Sequence, residues 1–172
     1  MGTRHAQYVI NREGEEKVAQ YGQWDGYPSG QGVDILKFLQ ENDLEKYLEN
    51  VNKLKELDDE NAERIGKWLD DLESKNLNYE DERKEMENNP EYFALSRDCD
   101  SRLHKMILDG NVKFIQLLPK EEANSWCDGF YTINFQTNEF IADFEGIEKR
   151  YSLDNLPTVE QFLFDFKSED DE

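Results

Sequence analysis

Residues 95–100 read LSRDCD and bring a thiol, a hydroxyl, a guanidinium and two carboxylates together, with His104 five residues beyond Cys99. A thiol nucleophile needs a base within reach, because the thiolate is the reactive form. On a helix, five residues turn through about 500°, which leaves Cys99 and His104 about 140° apart. They do not face each other locally, and His5 can approach Cys99 only through the fold. The plainer reading makes Cys99 a buried residue of a helix that Ser96 caps. That helix carries Leu103, Met106 and Ile107 and stops at Asp109-Gly110. Arg97 and Asp98 remain available to pair with Asp25 or with a backbone turn.

The second stretch with chemical potential is QYGQWDGYPSGQG, residues 20–32. Gly30-Gln31-Gly32 resembles the start of a dinucleotide-binding GxGxxG, but Ile35 holds the third glycine position, and no GK[ST] follows. Asp25 and Asp34 also make the following helix start poor for phosphate. Read structurally, Trp24 and Tyr27 supply large rings to bury, and Pro28 fixes one φ. Gly26, Gly30 and Gly32 permit left-handed or extended turns, and Asp25 suits an Asx-type turn. The stretch reads as a shaped connector from strand to helix. Its Trp24, Asp25, Tyr27 and Ser29, with Arg97, form the candidate ligand loop.

Charge is the strongest compositional signal. Forty acids against twenty bases give a net charge of −20 in 172 residues. Residues 43–91 hold 17 acids and 8 bases, a net of −9, and residues 119–172 hold 14 and 4, a net of −10. Such a surface repels nucleic acid and anionic lipid and favours a basic partner, including the nucleic-acid-binding groove of another protein. Asp58, Asp59, Glu60, Glu63, Asp70, Asp71 and Glu73 are the candidate partner-binding residues. Adjacent carboxylates such as Asp58-Asp59 and Asp70-Asp71 arise by chance at this acid content and are no hydrolase signature. Two cysteines and two histidines, none in CxxC spacing, fall short of a structural zinc site. There is no EF-hand loop, and no pattern calls for a cofactor. The start, MGTRHAQYV, lacks an apolar signal region, and no run approaches the ~18–20 apolar residues of a membrane span. A soluble cytoplasmic protein without catalytic constellation is the expectation.

The elements that must position these residues are legible in outline. Residues 5–10 read as a strand with Ala6, Tyr8 and Ile10 on one face, and residues 16–21 return as its hairpin partner through the turn at Gly14. A helix begins near Gly32 or Val33, with Val33, Leu36 and Leu39 on its apolar face. Helices follow over 43–57 and 59–73, the last with Ala62, Ile65, Leu69 and Leu72 on one stripe beside Trp68. Residues 74–89 read as a charged loop or exposed short helix, and Pro90 opens a short turn. Strands are predicted at 112–118, 129–135 and 139–144, and a short helix at about 158–166. Strands at both chain ends with helices between them predict a single α+β domain. Its mainly antiparallel sheet of about five strands carries helices on one face. Residues 43–91 form an acidic helical insert, and residues 167–172 a flexible acidic tail.

The Gly2-Thr3-Arg4 start, the segment Tyr21 to Gly32, Leu95-Ser96-Arg97-Asp98 and the hairpin from Trp126 to Phe144 resemble a family of uncharacterised proteins, many encoded by bacteriophages and prophages. The resemblance covers about half the chain, and WDGYPSGQG is its specific part. Members usually follow SRD with Thr-Gly, where this chain has Cys99-Asp100. The resemblance implies a phage accessory protein and no known reaction. Combined with the acidic faces, it predicts a protein that binds and inhibits a host or defence protein, as anti-CRISPR counter-defence proteins do. The alternative expectation is a small-ligand binder or enzyme that uses the Trp24–Gly32 loop.

Overall fold

The computed structural model describes residues 2–167. Its main sheet has five strands: β1 (His5–Ile10), β2 (Glu16–Gly22), β5 (Gly129–Asn134), β6 (Glu139–Phe144) and β7 (Ile147–Ser152). They lie in the order β2-β1-β5-β6-β7. Every neighbour pair is antiparallel except β1–β5, which runs parallel with His5 opposite Gly129. The fold is α+β, with a mostly antiparallel sheet built from both ends of the chain, as the order of elements predicts.

Between β2 and β5 the chain forms α1 (Val33–Glu41), α2 (Leu44–Asn52), a two-residue strand β3 (Lys55–Glu56) and α3 (Asp59–Ser74). Then come α4 (Tyr79–Glu87), α5 (Pro90–Phe93), α6 (Arg102–Leu108), β4 (Phe114–Ile115) and α7 (Lys120–Trp126). The last element is α8 (Val159–Asp165). Asp43, Asp58, Asn78 and Thr158 accept backbone N–H groups at the starts of α2, α3, α4 and α8, satisfying donors that helix geometry leaves free.

The core lies between one sheet face and the helices α1, α2, α6 and α8. Val9, Val18, Tyr131, Ile133, Phe140 and Ala142 meet Ile35, Leu36, Leu39, Tyr47, Val51, Leu103, Ile107 and Phe162 there. Phe162 is fully buried, with ring centroids of Phe140, Tyr151 and Phe166 at 6.0, 5.7 and 5.2 Å. A smaller cluster of Ala6, Tyr8, Ala19 and Ala123 sits on the opposite face under α7. Ala6 and Tyr8 of β1 therefore face the lesser layer. His5, Gln7 and Val9 face the main one, all with no exposed surface.

Several elements differ from the sequence reading. The helix predicted over 43–57 ends at Asn52, because the backbone beyond it is claimed elsewhere. Lys55 N–H donates to Lys113 O at 3.0 Å and Leu57 N–H to Ile115 O at 2.9 Å, which makes a separate parallel pair of β3 and β4. The strand expected at 112–118 is reduced to that pair, and the fifth strand of the main sheet is instead β7. Ala62 is exposed on α3, whose buried positions are Ile65 and Leu72. Of the acidic tail expected over 167–172, residues 168–172 lie outside the described residues.

Replacing Phe162 with alanine removes a fully enclosed ring and should lower unfolding free energy by about 3–5 kcal/mol. Phe164→Ala, at a side chain 63 % exposed on the same helix, should cost less than about 0.5 kcal/mol. Urea unfolding of the two variants checks this, and equal costs would contradict the packing described.

Candidate functional site

The inward face of the β1–β2 hairpin is polar along half its length. His5 lies opposite Gly22 and Gln7 opposite Gln20, and all three side chains are buried. A buried amide without partners costs about 1–3 kcal/mol. Here the two glutamines reach the backbone of residues 94–100. Gln7 Nε2 donates to Asp100 O at 2.7 Å, and Gln20 Nε2 to Ala94 O at 2.9 Å and Ser96 O at 3.3 Å. Gln31 Oε1 accepts Ser101 N–H at 3.0 Å, and Arg97 O accepts Gln23 N–H at 3.2 Å. These carbonyls and amides are not free to continue a helix. The helix expected to start at Ser96 therefore starts at Arg102, and Ser96 Oγ instead accepts Asp98 N–H within a turn.

The connector of residues 23–32 closes against the first residues of the chain. Gly26 N–H donates to Thr3 O at 2.9 Å, Gln31 N–H to Asp25 O at 2.8 Å, and Tyr131 Oη to Gly26 O at 2.7 Å. A π-helical turn, Pro28–Gly32, then runs directly into α1. None of Gly26, Gly30 and Gly32 adopts positive φ; that conformation falls on Asp25, at φ 53°. Glycine is needed at 26 for proximity instead, since a Cβ there would sit 2.8 Å from Thr3 O and 2.9 Å from His5 Cβ. Trp24 and Tyr27 are also not buried as expected. Trp24 is 45 % exposed and donates from Nε1 to Asp98 Oδ1 at 2.8 Å. The Asp25 carboxylate forms no Asx turn and accepts the Tyr27 hydroxyl at 2.9 Å.

These two loops wall a pocket of about 570 Å³. Trp24, Asp25, Arg97, Asp98 and Asp100 form one side, and Tyr79, Glu82, Arg83 and Met86 of α4 the other. Of the expected ligand-loop residues, Trp24, Asp25 and Arg97 come together there. Tyr27 reaches the site only through its bond to Asp25, and exposed Ser29 lies outside the lining. The expected Arg97–Asp25 pairing does not form. Arg102 lies over the Phe93 ring at 4.6 Å and donates from Nη2 to Asp98 O at 2.6 Å. Glu87 holds Arg83 at 2.8 Å and Arg102 at 3.4 Å.

Asp100 occupies the floor, with its side chain 10 % exposed. Its Oδ1 lies 4.0 Å from His5 Nε2, and Gly22 makes the approach possible. A Cβ at position 22 would meet His5 Cε1 and Nε2, and would sit 2.6 Å from Asp100 Oδ1. Asp100 Oδ1, Gln7 Oε1 and both ring nitrogens of His5 are buried without a hydrogen-bond partner in the protein. Burial raises the Asp100 carboxyl to about 7, opposed in part by Arg102 and the Trp24 amide. Burial lowers His5 to about 4 against the attraction of Asp25. The two groups face each other as an imidazole held uncharged and a carboxyl that keeps its proton far more readily than an ordinary aspartate. Asp25 and Asp100 are also two of five non-glycine residues with positive φ among the described residues. Asn138 and Glu145 occupy hairpin turns and Asn76 a helix end, whereas these two flank the pocket. Backbone held in this conformation concentrates at ligand sites. Two aspartates separated by 75 positions show none of this in sequence.

Cys99 turns away from the pocket. Its thiol is buried beside Met106, with the sulfurs 3.8 Å apart, and desolvation pushes it up to about 12, which removes its nucleophilic form. His104 is likewise a core residue, its Nδ1 2.6 Å from Tyr47 Oη, and desolvation lowers it to about 3. Among the described residues, no group of three or more His, Cys, Asp or Glu side chains is placed to hold a metal ion, and no helix is long and apolar enough to cross a membrane.

The seven acidic residues singled out along α3 are all exposed, but they are not equally free. Asp58 is committed to capping, accepting Asn61 N–H at 2.8 Å, and Glu63 pairs with Lys67 at 3.0 Å. Glu60, Glu63, Arg64, Lys67, Trp68 and Asp71 line a shallow depression on this helix. Comparison of the chain with protein-family models, curated proteins and solved structures finds no match.

Asp100 sets a pH-dependent stability that opposes that of the histidines. The folded carboxyl keeps its proton up to about 7, against 3.8 for the ordinary group. Its contribution is therefore fully present in acid and lost as pH rises from about 4 to 7. Asp100→Asn keeps a residue tolerant of positive φ and removes the titration. At pH 8 it should stabilise the fold by about 2 kcal/mol, allowing for screening at the exposed edge. That is roughly 4–8 °C in Tm, and the gain should vanish near pH 4. The variant's Tm followed against pH checks this; a gain independent of pH contradicts the buried-carboxyl account.

Proposed function

We propose that the protein is a ligand-binding protein whose site is the pocket between the 23–32 connector, the 96–100 turn and α4. The observation that carries this reading is the Asp100 floor with the His5 ring buried behind it. A carboxyl oxygen and both imidazole nitrogens are buried there without a hydrogen-bond partner in the protein, at the cost of stability. Structures retain such groups where a bound molecule uses them. Exposed Trp24 and Tyr79 above this floor supply apolar contact area for a small molecule. A thermal-shift screen of the full chain against amines, amino acids, nucleosides, nucleotides and sugar phosphates tests the reading. A true ligand at about one hundred times its Kd should stabilise by about 2.7 kcal/mol. The shift should be lost in Trp24→Ala, with the far-ultraviolet circular dichroism unchanged. Shifts that survive in Trp24→Ala, or none from any class, would count against it.

A second reading rests on charge. Asp59, Glu60, Asp70, Asp71 and Glu73 face solvent along one 16-residue helix, and α4 beside it has no buried residue. This ridge suits a basic protein partner, including a nucleic-acid-binding surface that the ridge would occupy and inhibit. With the phage-type resemblance, it makes the protein a counter-defence inhibitor. Pull-down from bacterial lysate should then retain a basic protein at low salt and lose it at high salt. Replacing Asp70 and Asp71 with asparagine should weaken retention, and unchanged retention would remove the ridge from the interface.

A further inference from the structure

The lining of the pocket bears on the class of ligand, given that the pocket is a binding site. Four carboxyl groups meet there, on Asp25, Glu82, Asp98 and Asp100, against three guanidinium groups. Two of the three are already engaged. Arg83 is held by Glu87, and Arg102 by Glu87, two backbone carbonyls and the Phe93 ring. Arg97 alone of the three makes no ion pair among the described residues, and its exposed position leaves it hydrated. The carboxyl groups are less fully used. Asp98 accepts one hydrogen bond from Trp24 and Asp25 one from Tyr27, although each carboxylate can accept about four. Asp100 contributes a side chain nine-tenths buried whose unpartnered Oδ1 is turned toward His5, and only its outer edge reaches the lining.

Acceptors therefore exceed free donors, and exposed aromatic side chains stand beside them. An anion would meet this excess of carboxylates with one hydrated arginine to hold it. A cation would meet acceptors, an indole and a phenol ring, and the attraction of a chain carrying −20. We propose that the pocket takes a small organic cation, a primary ammonium or a guanidinium. Its N–H groups are received by the carboxylates of Asp25, Asp98 and Asp100, and its apolar stem lies against Trp24. A metal ion is the poorer occupant, because these oxygens are not placed around one point.

Protonation of Asp100 gives the site a further property. The groups around its carboxyl are His5 from β1, Asp25 and the Trp24 amide from the connector, and Asp98 and Arg102 from its own segment. A bound cation favours the ionised carboxylate, so binding expels the proton held below about 7. Affinity then rises with pH through that region and levels off above it.

Calorimetric titration of the full chain with agmatine, which carries a guanidinium and a primary amine, tests the proposal. Physiological ionic strength suppresses non-specific attraction to the acidic surface. One saturable site is expected, with proton release below pH 7. Asp98→Asn should weaken it about tenfold, and Asp100→Asn should weaken it and flatten the pH profile. Asp70→Asn, which removes the same charge from α3, should leave it unchanged. Absence of a saturable site, or equal weakening by Asp70→Asn, overturns the proposal. If the thermal-shift screen yields an anionic or neutral ligand that depends on Trp24 while agmatine does not bind, the pocket stands as a site and the cation assignment falls.

Discussion

The structure depends on burying the polar face of its first hairpin. His5, Gln7 and Gln20 point into the main core beside Val9 and Val18. Two glutamine side chains in a low-dielectric interior are tolerable only when hydrogen-bonded. Backbone carbonyls at residues 94, 96 and 100 accept their amide N–H groups, although Gln7 Oε1 stays unpartnered, and thereby hold that segment in an irregular path. Arg97, Asp98 and Asp100 stand at the pocket because of this path.

The connector meets the same segment from the other side. Its hydrogen bonds to Thr3 and Tyr131 hold it against the sheet, and its glycines admit neighbours too close for any Cβ. The only direct link between side chains of the two loops that is on the pocket wall is the 2.8 Å bond from Trp24 Nε1 to Asp98 among the described residues. The indole is thus oriented by its edge while much of its surface stays exposed. Rigid backbone beneath exposed aromatic and carboxylate groups limits the ordering cost of binding.

The acidic insert and the pocket are not separate features. Helix α4 contributes one pocket wall and also continues the acidic outer surface begun by α3. It has no buried residue and is tied to its surroundings by exposed ion pairs such as Lys75–Glu85 at 3.9 Å. Such pairs contribute roughly 0–1 kcal/mol each. The wall formed by α4 is therefore held more weakly than the wall formed by the connector.

The α+β class, the two hairpins and the helices starting at Val33, Asp59 and Val159 were legible because periodicity, caps and turns are local signals. The candidate loop at Trp24 and Asp25 was legible from composition; Arg97 shares the pocket lining with it but does not make the expected pair with Asp25. Strand β7 and helix α7 were not, because IEKRYS lies at a charged sheet edge and KEEANSW buries only Ala123. Nor was the length of α2 or α6, since backbone pairing across distant segments decided where each helix ended or began. His5 and Asp100 illustrate the limit best. By itself the sequence determined an acidic α+β chain with a shaped connector. Only the tertiary structure decided that two residues 95 positions apart are buried against each other, one of them at the pocket floor, because desolvation and close approach act between neighbours in space.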